Sequence, residues 1–423
     1  MADKNDLINT LSDWNFWDRE QKTGVPRLEY VLKILKSLEQ GQITIVTGVR
    51  RSGKSYLLRQ TAAKLMEQGV PKINILLANF EDPRFLEKNT ALLEKIFAVY
   101  KETFNPEGEI YLFLDEVQEV FEWEKWVQMT HELGKAKVVV TGSNSKLLSA
   151  ELATLLTGRH QDITVYPLSF TEYLDFNPEE SPTKLLNYLE TGGFPDIVLG
   201  KGDKTTLLTY FEDIISEDLV HRFKIRQSEG LNSLARFYLS NPAGQVSFGK
   251  VGRSLNLSTD SVIKFSGYLR TAFLNYFVNR FSWKVKEQEK SFKKVYCVDT
   301  GLAGTVGFFP EKNLGFLAEN LVFLELKRRG AKDGEIFYWK GTDEKEVDFI
   351  LKKENKLEAV QVCWDLSRPQ TKEREVKSLL AAMGELNLDQ GLILTGGETN
   401  QENFSGKTIE FISLAEWLLA TEK

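Results

Sequence analysis

The sequence predicts an α/β fold for the first part of the chain, with a parallel sheet covered by helices on both faces. Short apolar runs, such as Ile43–Thr47, Ile110–Leu114 and Val138–Thr141, alternate with stretches of helical periodicity. The runs are apolar throughout and do not alternate with polar residues. Strands of this kind are buried on both faces, which is typical of a parallel sheet.

The composition is that of a globular protein, and the 423 residues suggest about three domains. Hydrophobic residues make up 42% of the chain, which excludes a disordered or collagen-like protein. No apolar stretch approaches the roughly 18 residues that a membrane helix needs, and no signal peptide is visible. Two cysteines and three dispersed histidines offer neither a disulfide framework nor zinc-ligand spacing. We therefore expect a cytoplasmic protein without a membrane partner.

A glycine-rich motif lies between a predicted buried strand and a predicted helix. Residues 48–55 match G-x-x-x-x-G-K-[ST] in full. In this motif backbone N–H groups and the positive end of the helix bind phosphates. We expect Lys54 to reach the β- and γ-phosphates of ATP and Ser55 to hold Mg²⁺. The residues predicted to bind nucleotide are Gly48, Val49, Arg50, Arg51, Ser52, Gly53, Lys54, Ser55 and Tyr56.

Two carboxylates complete the predicted phosphate site. The strand Ile110–Leu114 is followed directly by Asp115 and Glu116. Asp115 is expected to bind Mg²⁺ together with Ser55. Glu116 is placed to polarise the attacking water as the general base. The two motifs together predict an ATPase.

Two further polar side chains are candidates for catalysis. Asn144 follows the next predicted strand, where it would sense the γ-phosphate or orient water; the alternative is an N-cap for a helix beginning at Lys146. Arg159 would neutralise transition-state charge, in its own subunit or in a neighbouring one. The alternative for Arg159 is a solvated surface arginine.

A predicted strand at Ile73–Leu77 lies between the two motifs, and the base follows the metal ligand directly. Both features resemble the additional-strand branch of P-loop ATPases. Six segments together resemble the predicted AAA-type ATPases of bacteria and archaea that carry a C-terminal domain of uncharacterised function. These segments are Thr47–Ser55, Phe113–Gln118, Thr141–Asn144, Pro167–Tyr173, Tyr296–Leu302 and Glu319–Leu326. The resemblance, which covers about Trp14 to Cys363, implies ATP binding and supports a catalytic role for Arg159.

The chain is predicted to contain four parts. Residues 1–167 form the AAA-type ATPase domain and residues 168–228 a helical lid. Residues 229–298 form a winged helix, because three helical patterns precede two aromatic-rich segments that could pair as a hairpin. Residues 299–423 form a degenerate nuclease-like domain of the restriction-endonuclease kind.

The charge is concentrated in one segment of the chain. The net charge is −6, whereas residues 221–294 carry 14 Lys/Arg and 4 Asp/Glu, which gives 14 − 4 = +10. This basic segment predicts contact with DNA, or else a solvated face that packs on acidic neighbours. The third helix would present Thr259, Asp260, Lys264 and Arg270, and the wing would present Arg280, Lys284 and Lys286. Phosphate contacts and docking of a protein partner are equal alternatives.

The last part of the chain resembles the core of PD-(D/E)xK nucleases. Asp348 lies on one predicted strand, and Glu319 lies on a preceding helix. Gln361 replaces the second acid of the motif and Cys363 replaces its lysine. With Glu346 or Glu358 as migrated ligands, this site is expected to bind Mg²⁺ weakly at best. We therefore expect a retained fold without cleavage.

The sequence thus predicts an ATP-binding protein, an Mg²⁺-dependent ATPase that acts as a switch or slow motor. The alternatives are a metal-dependent DNA nuclease controlled by ATP and a scaffold that binds nucleotide and DNA without turnover. Whether DNA or a protein is the target, and whether the chain forms an oligomer, stay open at this stage.

Overall fold

The computed structural model describes residues 4–148, 158–178, 183–226, 228–308, 313–354, 356–397 and 399–420. The chain divides into two compact units. The first comprises residues 1–166 with 271–273, and the second comprises residues 167–270 with 274–423. In the described part of the chain, no helix combines the length and the apolar character needed to cross a membrane.

Over the described residues, the sheet of the first unit has five strands in the order β2-β3-β4-β1-β5, and every neighbouring pair is parallel. The strands are β1 (Ile43–Thr47), β2 (Ile75–Asn79), β3 (Tyr111–Asp115), β4 (Lys137–Gly142) and β5 (His160–Thr164). The predicted α/β fold with a parallel sheet is therefore confirmed. Strand β4 lies between β1 and β3, so the strands that carry the two phosphate-site motifs are not neighbours.

Helices cover both faces of this sheet. They are α1 (Lys4–Ser12), α2 (Leu28–Glu39), α3 (Lys54–Glu67), α4 (Thr90–Phe104) and α5 (Trp123–Glu132). Successive strand residues point to opposite faces. Ile45 accordingly belongs to one hydrophobic cluster and Val46 to another, and Leu112 and Phe113 are divided in the same way. Burial on both faces is the reason that the strand sequences are apolar without alternation.

The described part of the second unit contains α-helices and one π-helix. The helices are α6 (Phe170–Phe176), α7 (Lys184–Thr191), α8 (Pro195–Val198), α9 (Lys204–Asp213), α10 (Ser228–Leu239), α11 (Phe248–Leu255), α12 (Thr259–Thr271, whose last residue belongs to the first unit), α13 (Val285–Lys290), α14 (Thr300–Val306), α15 (Leu314–Arg328), α16 (Pro369–Glu385) and α17 (Leu414–Leu419), and the π-helix is Ile214–His221. Helix α12 begins directly after Ser258, whose hydroxyl accepts the N–H of Ser261 and caps the helix.

Nine described strands of the second unit form one sheet in the order β13-β14-β12-β11-β10-β9-β7-β8-β6. They are β6 (Gln245–Val246), β7 (Asn275–Arg280), β8 (Lys293–Cys297), β9 (Ile336–Lys340), β10 (Glu346–Lys353), β11 (Lys356–Cys363), β12 (Gln390–Thr395), β13 (Asn400–Phe404) and β14 (Lys407–Ser413). Strand β7 pairs with β8 on one side and with β9 on the other. The sheet therefore continues across the predicted boundary at residue 298.

The buried carboxylate of Asp299 links the start of helix α14 to the turn at Gly192 and Gly193. Asp299 caps helix α14 by accepting the N–H of Leu302 at 2.8 Å, and it accepts the N–H of Gly193 at 2.7 Å. Burial raises the pKa of Asp299 to about 6, although these N–H groups favour the ionised form. A Cβ at Gly192 would lie 2.1 Å from the Asp299 carboxylate, so this position requires glycine.

Candidate functional site

The phosphate loop follows β1 at the carboxyl edge of the first sheet. Gly48 has φ 148°, and a Cβ there would lie 2.1 Å from the carbonyl oxygen of Val165. Gly53 has φ 99° and directly precedes helix α3. These left-handed conformations favour glycine. The loop thus adopts its shape because of the two glycines that define the motif.

Lys54 is buried at the centre of the loop. Its Nζ donates to the carbonyl oxygens of Gly48 at 3.1 Å and Val49 at 3.3 Å, and it lies 3.4 Å from Oε1 of Glu116. The hydroxyl of Ser52 is buried and has no hydrogen-bond partner among the described residues. An ammonium, an unpaired hydroxyl and a helix N-terminus at one place fit a bound phosphate chain.

Asp115 and Ser55 form the part of the site that suits a metal ion. The side chain of Asp115 is hydrogen-bonded to Ser55 and accepts the hydroxyl of Thr141. Burial, together with the adjacent charge of Glu116, raises the pKa of Asp115. A carboxylate and a hydroxyl side by side are oxygen donors of the kind Mg²⁺ prefers. The residues present therefore fit the expected ion, and its charge would favour the ionised form of Asp115.

Glu116 lies in a left-handed backbone conformation with φ 51° and ψ 47°. Its Oε2 accepts the Nε2 of Gln118 at 2.6 Å and the backbone N–H of Ser143 at 3.1 Å. Burial opposes the charged form, yet Lys54 and these hydrogen bonds lower the pKa of Glu116. Glu116 is therefore ionised and able to accept a proton, as a general base requires.

The remaining predicted nucleotide-binding residues surround this centre. Arg50 pairs with Glu81 at 2.9 Å, and Arg51 is exposed with φ 67°. Tyr56 lies on helix α3 beneath the guanidinium of Arg59, with 42% of its surface exposed. Asn144 is buried just beyond the end of β4, at the same edge of the sheet as the loop.

Arg159 lies at the other edge of the sheet. It directly precedes β5, and its carbonyl oxygen accepts the N–H of Ile43, at the start of β1. The phosphate loop follows the opposite end of β1, about 13 Å away for a strand of this length. Burial and the charge of Arg159 lower the pKa of His131, which places the guanidinium near that side chain. The backbone of Arg159 therefore lies at the edge of the sheet opposite the phosphate loop of its own subunit, and its action there stays a prediction. Action on a neighbouring subunit stays a prediction.

Sequence reasoning missed Arg27, which supports the loop from outside the motif. Its guanidinium is buried and donates to the carbonyl oxygens of Ser52 at 2.8 Å and Tyr166 at 3.0 Å. It also lies over the ring of Tyr30, 4.6 Å from the centroid. Neither periodicity nor spacing distinguishes Arg27 from a surface arginine.

The predicted nuclease-like residues Glu319 and Asp348 do meet, around a residue that the sequence analysis missed. The buried ammonium of Lys294 lies 2.8 Å from carboxylate oxygens of Glu319, Glu346 and Asp348. Burial opposes its charge, but the carboxylates, Asp348 first, hold the pKa of Lys294 well above its usual range. The hydroxyl of Tyr296 donates to Glu319 at 2.8 Å. The ammonium donates hydrogen bonds to Glu319 and Asp348 and forms an ion pair with Glu346.

Gln361 is hydrogen-bonded within the protein. Its Nε2 donates to Glu375 at 2.7 Å, and its Oε1 accepts the N–H of Asp348 at 3.2 Å. Cys363 is buried, and burial raises the pKa of its thiol to about 11. Glu358 is exposed and takes no part in the cluster. Within the described residues, no group of three or more His, Cys, Asp or Glu side chains is arranged to hold a metal ion.

The basic segment 221–294 keeps most of its cations on the surface. Thr259, Asp260, Lys264 and Arg270 are exposed along helix α12, as predicted. The other exposed cations described in the segment are Lys224, Arg226, Arg236, Lys250, Arg253, Arg280, Lys284, Lys286 and Lys290. Arg222 and Lys293 are half-buried, and Lys294 is buried with its charge neutralised inside the second unit.

Family models cover most of the chain. Residues 40–174 match the model of an AAA domain. Residues 182–313 match a domain of unknown function, DUF8612, and residues 314–417 match another, DUF4143. The AAA match includes the phosphate loop, both carboxylates and Asn144, and the two other matches meet just before helix α15.

Two relatives extend over most of the chain. An uncharacterized protein of Haemophilus influenzae is 31% identical over 413 residues, which covers 94% of this chain and 99% of the relative. The uncharacterized protein MJ1544 of Methanocaldococcus jannaschii is 35% identical over 373 residues, with 82% and 80% covered. Among solved structures, the Walker-type ATPase of Pyrococcus abyssi aligns with a TM-score of 0.47 at 17% identity, covering 68% of this chain and 99% of that one.

Proposed function

The chain belongs to the same family as these two relatives and contains an AAA-type ATPase domain, and we propose that it hydrolyses ATP in an Mg²⁺-dependent reaction at the phosphate loop. The observation that carries the proposal is the position of Glu116, whose ionised carboxylate lies 3.4 Å from the ammonium of Lys54. A base and a phosphate-binding cation at this separation suit attack by water on the terminal phosphate.

In the proposed reaction, the loop N–H groups and Lys54 hold the β- and γ-phosphates. Glu116 accepts a proton from water while the water oxygen bonds to the γ-phosphorus and the bond from that phosphorus to the β–γ bridging oxygen breaks. The products are ADP and inorganic phosphate. Ser55 and Asp115 would hold Mg²⁺, which neutralises charge on the phosphates. Slow turnover of this kind would let the protein act as a switch.

Nucleotide binding is tested by Lys54→Ala. The variant loses a buried cation that binds phosphate oxygens, so the Kd for ATP is expected to rise about 10- to 100-fold, the effect of a charge-assisted hydrogen bond. The measurement is titration calorimetry with ATP and Mg²⁺. The matched control is Lys64→Ala on the same helix, where the side chain is 42% exposed and pairs with the exposed Glu67. Equal affinities for the two variants would contradict the proposed site.

The basic segment supports a second proposal, that the protein contacts DNA through a winged helix. Helices α10, α11 and α12 are followed by β7 and β8, and β6 pairs with β8. Three helices followed by antiparallel strands have the outline of a winged helix, and here the strands also continue into the nine-stranded sheet through β7 and β9. The exposed Lys264 and Arg270 on α12 suit phosphate contacts better than base reading, because the helix also carries the exposed Asp260.

DNA contact is tested by a salt titration of duplex binding. The plot of log K against log salt is expected to be steep, and Lys264→Ala with Arg270→Ala should reduce its slope by about 2, roughly 0.9 for each lost phosphate contact. Lys36→Ala, at an exposed lysine of the first unit, is the control and should leave the slope unchanged. If the wild type binds no duplex at low salt, the partner of this surface is a protein instead.

A further inference from the structure

Gln118 holds the general base without belonging to either phosphate motif. Its Nε2 donates to Oε2 of Glu116 at 2.6 Å, and the N–H of Ser143 donates to the same oxygen at 3.1 Å. Two donors from different segments therefore fix one oxygen of the carboxylate. Rotation of the Glu116 side chain would break both hydrogen bonds.

The other oxygen of Glu116 faces the phosphate loop. Oε1 lies 3.4 Å from Nζ of Lys54, the cation expected to bind the β- and γ-phosphates. Because Oε2 is occupied by two donors, Oε1 is the oxygen presented to the reacting groups. The hydrogen bond from Gln118 thus determines which oxygen accepts the proton and where it lies.

The orientation of the Gln118 amide is unfavourable for Gln118 itself. Its Oε1 is buried and has no hydrogen-bond partner in the described part of the chain. An unpaired buried acceptor is destabilising. Turning the amide over would bring this oxygen against Oε2 of Glu116, and two acceptors repel each other. The amide is therefore held in the orientation that serves Glu116.

Gly142 makes room for this arrangement. A Cβ at residue 142 would lie 2.4 Å from Oε1 of Gln118 and 2.2 Å from Cδ1 of Leu147. The two residues that flank Gly142 each support one of the carboxylates, since Thr141 donates to Asp115 and Ser143 donates to Glu116. Any larger residue at 142 would displace Gln118.

We propose that Gln118 is a positioning residue for hydrolysis, which anchors Oε2 of Glu116 so that Oε1 faces the terminal phosphate. The proposal rests on the proposed ATPase function. Gln118→Met has a similar volume and no donor, so kcat should fall about 10- to 100-fold, the effect of losing a hydrogen bond to a charged group. The Kd for ATP should change less than about twofold, since the substitution removes no contact that holds ATP in the ground state.

A double-mutant cycle separates positioning from a structural role. In the Glu116→Gln background, Gln118→Met should cause no further loss of kcat, because Gln118 acts only through the carboxylate. Gln118→Asn, whose amide is too short to reach Oε2, should show the same loss as Gln118→Met and serves if the Met variant unfolds. Gln128→Met is the control, since Gln128 also donates to a glutamate, Glu132, but lies on helix α5 away from the loop.

Three results would count against the proposal. Full kcat in Gln118→Met, or equal losses in both backgrounds, would overturn it while the ATPase proposal stands. An equal loss in Gln128→Met would assign the effect to general destabilisation and overturn it as well. Absence of ATP turnover in the wild type would overturn the proposed function itself, and this inference with it.

Discussion

Replacing Glu116 with glutamine is expected to lower kcat for ATP hydrolysis by about 10²- to 10⁴-fold, the range contributed by a general base. The amide has the shape of the carboxylate but does not accept a proton at neutral pH. The Kd for ATP should not rise, because the substitution removes a negative charge next to Lys54 and the phosphates. The measurements are steady-state phosphate release and titration calorimetry with ATP.

The matched control for this prediction is Glu119→Gln. Glu119 is exposed and lies three residues further along the chain. Its substitution changes the net charge equally and should leave kcat unchanged. A Glu116→Gln enzyme with wild-type kcat would show that another group accepts the proton.

Replacing Lys294 with methionine is expected to lower the free energy of unfolding by about 3–5 kcal/mol, the cost of removing one partner from a buried charge group. The substitution leaves the carboxylates of Glu319, Glu346 and Asp348 facing one another without a cation. Burial and the charge of Asp348 already raise the pKa of Glu319 to about 8, and without Lys294 that pKa should rise further. Denaturant unfolding of the full chain, followed by tryptophan fluorescence, measures the effect.

Lys293→Met provides the control for Lys294. Lys293 is the preceding residue on β8, and its half-buried ammonium pairs with the exposed Glu289 at 3.7 Å and donates to Oδ1 of Asn279 at 2.5 Å. A screened ion pair contributes about 0–1 kcal/mol and a hydrogen bond about 0.5–1.5 kcal/mol, so this variant should lose less stability than Lys294→Met. Equal stability of both variants would contradict the assigned role of Lys294.

The same cluster bears on the nuclease alternative. The Lys294 ammonium already pairs with the carboxylates that would bind a metal ion. Gln361, at the position of the second acid, donates a hydrogen bond to Glu375. These contacts agree with the expectation that this part of the chain cleaves no DNA, and its nuclease-like fold stays a prediction. Mg²⁺-dependent cleavage of plasmid DNA that disappears in Asp348→Ala would reverse this ranking.

The phosphate site could be predicted from the sequence because its residues are contiguous. The loop at residues 48–55 and the pair Asp115–Glu116 each follow a buried strand, and parallel strands bring both motifs to one edge. Arg159 precedes a strand instead of following one, so it lies at the opposite edge of the sheet. Spacing alone does not reveal at which edge of the sheet a residue lies.

Other elements were not predicted because their signals are not local. Strand β13 reads Asn-Gln-Glu-Asn-Phe, and its polar residues reflect a position at the edge of the sheet. Strand β8, which carries Lys294, contains both charged and apolar residues. A lysine on such a strand normally has an exposed side chain. Its burial follows from carboxylates 25 and 54 residues further along the chain. Only the folded sheet brings these charges together.

ATP turnover by the full-length wild type, measured as phosphate release with Mg²⁺ and again with excess EDTA, tests the central claim most directly. The proposed function predicts slow release that requires Mg²⁺ and is lost in Glu116→Gln, while ATP binding persists in that variant. Binding of ATP without any release by the wild type would contradict the claim. The protein would then be a nucleotide-binding scaffold instead of an ATPase.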